Sequence, residues 1–188
     1  MCSSDLKRFG HTLVVINETL CGSDRHASWS KLKLLNSTPD GMSCMWVDDD
    51  IILTNIQTDV WANYAATLHS ASLVVSEDFR PSIFNMGMVI AVGGEKLRSV
   101  CQKIWDIGSR SPFYRFGGWW EQSAAQELFV SEPGLFQIVP FREIQAFEPY
   151  FRNNDRKRVW SPGDPAIHIT GLPLETRIKL AKKVESEL

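Results

Sequence analysis

Three adjacent carboxylates, Asp48-Asp49-Asp50, stand between two apolar runs, Met45-Trp46-Val47 and Ile51-Ile52-Leu53. Like charges side by side repel, and carboxylates resist burial, so such a triplet at the end of a buried strand does not serve stability. A hard divalent cation removes both penalties, because Mg²⁺ and Mn²⁺ take oxygen ligands and bring the missing positive charge. In an extended chain residues two apart share a face, which places Asp48 and Asp50 on one side and Asp49 on the other. An Asp-x-Asp pair of this kind can hold one cation that also grips a diphosphate. The other reading of three acids in a row is a solvated acidic turn. The triplet alone leaves the two level.

Five further positions carry side chains that could do chemistry. His168 sits at the end of a short apolar run, two residues before a Thr-Gly turn; a lone histidine in such a run is more often a satisfied core group than a ligand. Glu121 and Gln122 open a helix, where backbone dipoles favour negative charge, and helix capping accounts for them equally well. Asn85 lies in a β-like run broken by Gly87, and glycine in a strand lets backbone approach a ligand closely. Lys31 is on a short helix beside Lys33, and both read as solvated lysines unless something holds one of them.

These residues need elements to position them. Thr12–Ile16 is a β-branched run that reads as a strand buried on both faces. Ser28 is placed to cap a helix from Trp29 to about Asn36, with Trp29, Leu32 and Leu35 at helical spacing. Pro39-Asp40-Gly41 is a turn, and Cys44–Val47 a second strand that ends on the acidic triplet. Asp59 to Leu68 reads as a helix, Ser72–Ser76 as a strand, and Ile83–Val92 as a strand interrupted at Asn85-Met86-Gly87. Glu95 to Ile107 is amphipathic, with Leu97, Val100, Cys101 and Ile104 on one side. Trp120 to Phe129 is a further helix, Phe136–Val139 and Ala166–Ile169 are strands, and Glu175 to Leu188 closes the chain as a helix. Strands alternating with helices predict a single α/β domain over residues 1–188, with a mixed, mainly parallel sheet and ligands at strand C-termini.

Composition narrows the classes. A chain of 188 residues that is 44% hydrophobic and 22% charged can bury a real core. A net charge of −2 gives no electrostatic reason to expect nucleic acid. The one dense basic run, Arg152 to Arg158, is interrupted by Asn153, Asn154 and Asp155 and reads as a solvated loop. Four cysteines without CxxC spacing suit free thiols in a reduced compartment, the cytoplasm if the chain is complete. No apolar stretch approaches the roughly 18 residues that span a bilayer. Seven tryptophans, most beside polar residues as in Trp119-Trp120-Glu121-Gln122, suit sugar binding and core edges alike.

Several segments, taken in order, resemble nucleotide-sugar glycosyltransferases of the GT-A type. More narrowly, they resemble the family of fungal α-galactosyltransferases and plant xyloglucan α-xylosyltransferases, glycosyltransferase family 34. The matching stretches are Phe9-Gly10-His11, Trp29-Ser30-Lys31, Trp46-Val47-Asp48-Asp49-Asp50, Asn85-Met86-Gly87, Glu121-Gln122-Ser123-Ala124, and Gly163-Asp164 with His168 and Gly171. The resemblance implies a Rossmann-like sheet flanked by helices and a metal-dependent, retaining transfer of a hexose or pentose from a UDP-sugar to a carbohydrate hydroxyl. It implies Asp48, Asp50 and His168 as metal ligands, with Mn²⁺ preferred over Mg²⁺ for a mixed carboxylate and imidazole set. Lys31, Asp48, Asp49, Asn85, Gly87 and Gly171 are then expected at the donor. Glu121 and Gln122 are expected at the anomeric carbon, one as nucleophile or the other as front-face support.

Two departures from the pattern carry expectations of their own. Relatives begin with a strand that has no counterpart ahead of Phe9, so the chain reads either as an N-terminally shortened member or as a sequence that starts late, with Asp5 to Arg8 placed where the tail of the following helix would be. A sheet without that strand leaves an edge beside Thr12–Ile16, and self-association through it is expected. The late histidine also lacks its usual following lysine: His168-Ile169-Thr170-Gly171-Leu172-Pro173 has none, and the next cations are Arg177 and Lys179. The rival function is a catalytically degenerate domain that binds carbohydrate or nucleotide-sugar without turnover.

Overall fold

The computed structural model describes residues 9–55, 57, 59–65, 68, 71–79, 82–148 and 159–187. The expected helix tail at Asp5 to Arg8 and the basic run Arg152 to Arg158 lie outside them. Contacts gather into two compact units, a larger one (Val15–Trp46 and Trp61–Ile138) and a smaller one (Met1–Val14, Val47–Val60 and Val139–Leu188).

In the larger unit a 3₁₀ turn, Ala27–Trp29, runs into helix α1 (Ser30–Asn36), and strand β1 (Ser43–Val47) follows. Helix α2 (Val60–Ala65) begins at its margin and leads to β3 (Leu73–Glu77) and β4 (Phe84–Val92). Three helices come next, α3 (Glu95–Ser109), α4 (Pro112–Phe116) and α5 (Trp120–Ser131), before β5 (Phe136–Val139). The sheet has the order β1-β4-β3-β5. Its two central strands are apolar on both faces: Leu73, Val74, Val75, Phe84, Met86, Met88, Val89, Ile90 and Ala91 are fully buried. The edge strand β1 is half-buried throughout.

β3 and β4 are antiparallel, with Val75 opposite Val89 and then Ser76 opposite Asn85. Met86, Gly87 and Met88 therefore face no partner on β3, and the irregularity is a bulge of the kind that re-aims side chains. This is the physical content of the interruption expected at Asn85-Met86-Gly87; the strand itself continues through it. Helix α3 lays Leu97, Val100, Cys101, Ile104 and Ile107 into the core, and α5 adds Ala124, Ala125 and Leu128. Each buried Leu, Ile or Val among them is worth roughly 1.5–3 kcal/mol. Gly93 passes so close to the 38–39 backbone that a Cβ there would lie 2.0 Å from the Pro39 carbonyl oxygen, so only glycine fits.

The smaller unit holds β2 (Ile51–Leu53), β6 (Ala146–Phe147), β7 (Ala166–His168) and helix α6 (Leu174–Glu187). The sheet order is β2-β7-β6, with β2 antiparallel and β6 parallel to β7. Its core gathers Ala146, Trp160, Ile167 and Ile169 with Leu180 and Val184, which lie four apart on one face of α6.

Two local expectations give way. Thr12–Ile16 forms no strand, and Leu13, Val14 and Val15 are 56%, 71% and 67% exposed. Among the described residues no strand pairs with it, and a β-branched run without a ladder partner has nothing to fix it as a strand. Ser28 does not cap α1; it lies inside the 3₁₀ turn, whose cap is the His26 side chain accepting from the Ser28 N–H. Among the described residues no helix is long and apolar enough to cross a membrane.

Candidate functional site

The acidic triplet is a turn, not the extended end of β1: the Ile51 N–H donates to the Asp48 carbonyl at 3.1 Å, closing the chain between β1 and β2. The alternating faces expected for Asp48, Asp49 and Asp50 therefore do not apply. Asp49 is exposed, whereas Asp48 and Asp50 are partly buried. The strand pairing explains where Asp50 goes. Ile51 stands opposite His168, and the Ile169 N–H donates to the Asp50 carbonyl at 2.8 Å, so residue 50 is drawn to the end of β7.

There the Nε2 of His168 lies 3.1 Å from the Asp50 carboxylate, and Arg177 on α6 reaches within 3.8 Å of its other oxygen. Burial pushes the Asp50 carboxyl up, but the hydrogen bond and charge of His168, joined by Arg177, outweigh it and hold the group below the usual carboxylate range. His168 is 4% exposed and stacks on Phe147 with ring centroids 5.5 Å apart. Its Nδ1 is buried with no hydrogen-bond partner.

A carboxylate oxygen and an imidazole nitrogen at this separation are a donor pair that fits a divalent cation with its other positions left for non-protein oxygens. Among the described residues no group of three or more His, Cys, Asp or Glu side chains is drawn together. Asp48 thus does not complete a three-ligand set with Asp50 and His168. Gly171 takes the left-handed position (φ +72°) of the turn after β7.

The larger unit has a separate buried polar cluster. Lys31 is 1% exposed; its Nζ is 2.8 Å from Glu121 Oε1 and donates to the Met86 carbonyl at 2.8 Å. Its neighbour Lys33 is exposed. Gln122 accepts from the Met86 N–H at 2.9 Å, and its amide donates to Asp78 at 3.0 Å and to Ser82 at 3.2 Å. Asn85 turns its oxygen back to the Gly87 N–H at 2.7 Å, with its amide 3.5 Å from Asp78.

Glu121 and Gln122 are therefore aimed across to α1, to Asp78 and Ser82, and to the bulge of β4, and neither caps α5. The capping role falls partly to Ser123, whose Oγ accepts from the Trp119 N–H. One Glu121 oxygen, Oε2, is buried without a hydrogen-bond partner. The preceding Trp120 has φ +47°, a conformation that strains a bulky residue, and its ring stacks on His26 at 3.9 Å.

Asp78, Ser82 and Gln126 belong to this network and were not singled out from sequence. Gln126, which donates to Ser82 and to the Phe84 carbonyl, is one helical turn beyond Gln122, and that spacing was the available signal.

The sequence matches no protein-family model and no curated protein. The structure does find likenesses. A glycosyltransferase involved in the glycosylation of the major capsid of PBCV-1 superposes with a TM-score of 0.63 at 14% identity, covering 97% of this chain and 87% of that one. Mouse xyloside xylosyltransferase 1, in its apo form, gives a TM-score of 0.51 at 11% identity over 90% of this chain and 72% of its own. The fold is thus that of GT-A-type glycosyltransferases: mixed sheets flanked by helices.

Proposed function

We propose that this chain is a metal-dependent retaining glycosyltransferase, moving a hexose or pentose from a UDP-sugar to a carbohydrate hydroxyl. The observation that carries the reading is the Asp50–His168 pair, presented at a strand end in a chain with this fold. In this reading Asp50 and His168 hold the cation, Mn²⁺ in preference to Mg²⁺, with non-protein oxygens filling its other positions. When bound, the cation would stabilise negative charge growing on the departing diphosphate.

The chain's own groups do the rest. His168 orients the Asp50 carboxylate, and Arg177 supplies a fixed positive charge beside it, where the sequence lacks the lysine expected after His168. At the anomeric carbon an oxocarbenium-like transition state needs a nearby oxygen with a free lone pair. Gln122 Oε1 already gives one lone pair to the Met86 N–H, whereas Glu121 keeps Oε2 wholly unpartnered. Glu121 is therefore assigned to the anomeric centre and Gln122 to holding the 85–87 backbone beside it. Lys31 acts through Glu121, holding its carboxylate in place by the 2.8 Å contact.

The second reading, a domain that binds carbohydrate or nucleotide-sugar without turnover, draws support from the closed Lys31–Glu121 pair. A panel of UDP-hexoses and UDP-pentoses with Mn²⁺ and oligosaccharide acceptors separates the two readings. Following UDP release and the anomeric proton of the product by NMR should show transfer with retained configuration. An inverted product would reject the retaining mechanism. Donor binding with no UDP release in any combination would establish the second reading.

A further inference from the structure

We propose that Asp164, gripped by Arg142, is a positioning residue that sets the register of the β2–β7 ribbon and so fixes Asp50 against His168. Its catalytic consequence rests on the reading of those two residues as cation ligands; its geometry does not.

The ribbon is short. Three residue pairs join it, Ile51 with His168, Ile52 with Ile167 and Leu53 with Ala166. Inside–outside alternation opposes a slip by one residue, because every side chain would change face, but it does not oppose a slip by two. A two-residue slip would carry His168 roughly 6.5 Å along the strand, far outside its 3.1 Å contact with Asp50. Something beyond the ladder must exclude it.

The far end of the ribbon carries that device. The N–H groups of Thr54 and Asn55 both donate to the Pro165 carbonyl, at 2.8 and 3.2 Å. The Thr54 hydroxyl donates to the Asp164 carbonyl at 2.6 Å and itself accepts from the Trp160 indole at 2.9 Å. The Asn55 amide donates to the Gly163 carbonyl at 2.9 Å. The carbonyl acceptors all lie on the 163–165 segment, so β2 is in register only if that segment keeps its shape.

Asp164 keeps it. Its carboxylate is buried and accepts from Arg142 Nε on both oxygens, at 2.9 and 3.0 Å, and from the Ser161 N–H at 2.9 Å. Arg142 Nη2 adds an ion pair at 2.9 Å and donates to Ser161 Oγ. Arg142 itself has φ +72°, a backbone conformation unfavourable to a residue with a Cβ and retained where the surroundings over-determine it.

The test compares three variants with the wild-type chain and takes His168→Gln and Asp50→Asn as spectral references. Asp164→Asn removes the ion pair at nearly constant volume. Arg142→Lys keeps the charge but loses the planar fork and serves as the milder change. Val184→Ala removes buried methyls from the same unit's core and controls for lost stability alone. The first readout, without metal, is the long-range ¹H–¹⁵N NMR spectrum of the His168 ring, identified by its loss in His168→Gln. The second is Mn²⁺ affinity by electron paramagnetic resonance.

In Asp164→Asn the His168 signals should move toward those of Asp50→Asn, and Mn²⁺ affinity should fall at least tenfold. Arg142→Lys should fall between, and Val184→Ala should leave both readouts in place at comparable loss of Tm. His168 signals unchanged in both Asp164→Asn and Arg142→Lys, or moved equally by Val184→Ala, would overturn the positioning role. Signals that move in a wild-type background that binds no Mn²⁺ would uphold the positioning role and remove the metal reading.

Discussion

Lys31 and Glu121 are 1% and 3% exposed, so truncating either one disrupts a charge pair in the protein interior. Breaking such a pair from one side costs about 3–5 kcal/mol, whereas replacing both partners by apolar groups is often close to neutral. Lys31→Met and Glu121→Leu should each destabilise by that amount in urea unfolding, and the double variant should recover most of it. The exposed Lys33, whose Nζ stands 4.4 Å from the Trp105 ring centroid, should cost no more than about 1 kcal/mol on substitution by Met. Additive losses in the double variant would show that Lys31 and Glu121 do not act as a pair. Asp50 offers a test in pH. Its folded carboxyl titrates below the ordinary value of 3.8, so its contribution is present above the unfolded pKa and is lost as pH falls through the folded one. Asp50→Asn should therefore melt below the wild-type chain at pH 7, with the gap narrowing below about pH 4. A gap that stays constant down to pH 3 would contradict the ion-pair geometry.

At the scale of elements, α3 packs so closely on the 3₁₀ turn that a Cβ at Gly108 would lie 2.0 Å from the fully buried Trp29 ring and 2.7 Å from Arg25 Nη1. Helix propensity favours alanine over glycine by about 1 kcal/mol, but overpacking against a ring that cannot retreat costs typically 1–3 kcal/mol. Gly108→Ala should be a net loss in thermal unfolding; a gain would mean that Trp29 has room to move. Elements with strong local patterns were legible in the sequence. Phe136–Val139 occurs as read, and α3 and α5 extend the predicted helices by two residues each. Elements that depend on distant partners were not. β6 is only two residues long and exists because β7 lies beside it, and Thr12–Ile16 has strand composition without a partner. Helix α4 carries a readable start, Ser111 as cap with Pro112 at the first helical position, although its five residues are too few for a helical apolar period. At the candidate site the chemistry-bearing residue types were legible, as was the meeting of Asp50 with His168. Their spatial grouping was less so: Lys31 points inward to Glu121, and the acidic triplet turns where an extended strand end was expected.

At the scale of the molecule, each unit is assembled from separated stretches of chain, so no contiguous piece of sequence contains a whole core. Apolar patterning can survive such divergence when individual residues do not, which accounts for a shared fold at 14% identity. The exposed run Leu13-Val14-Val15 is a contiguous apolar stretch that the described fold leaves uncovered, and light scattering on the wild-type chain and on Val14→Lys should show whether it drives self-association. The most direct test of the central claim is UDP release from a UDP-sugar, measured with saturating Mn²⁺ for the wild-type chain and Asp50→Ala, and for the wild-type chain in excess chelator. The proposed function predicts turnover in the first case only, with circular dichroism showing Asp50→Ala still folded. Turnover that persists in folded Asp50→Ala, or that is undiminished in chelator, would contradict it.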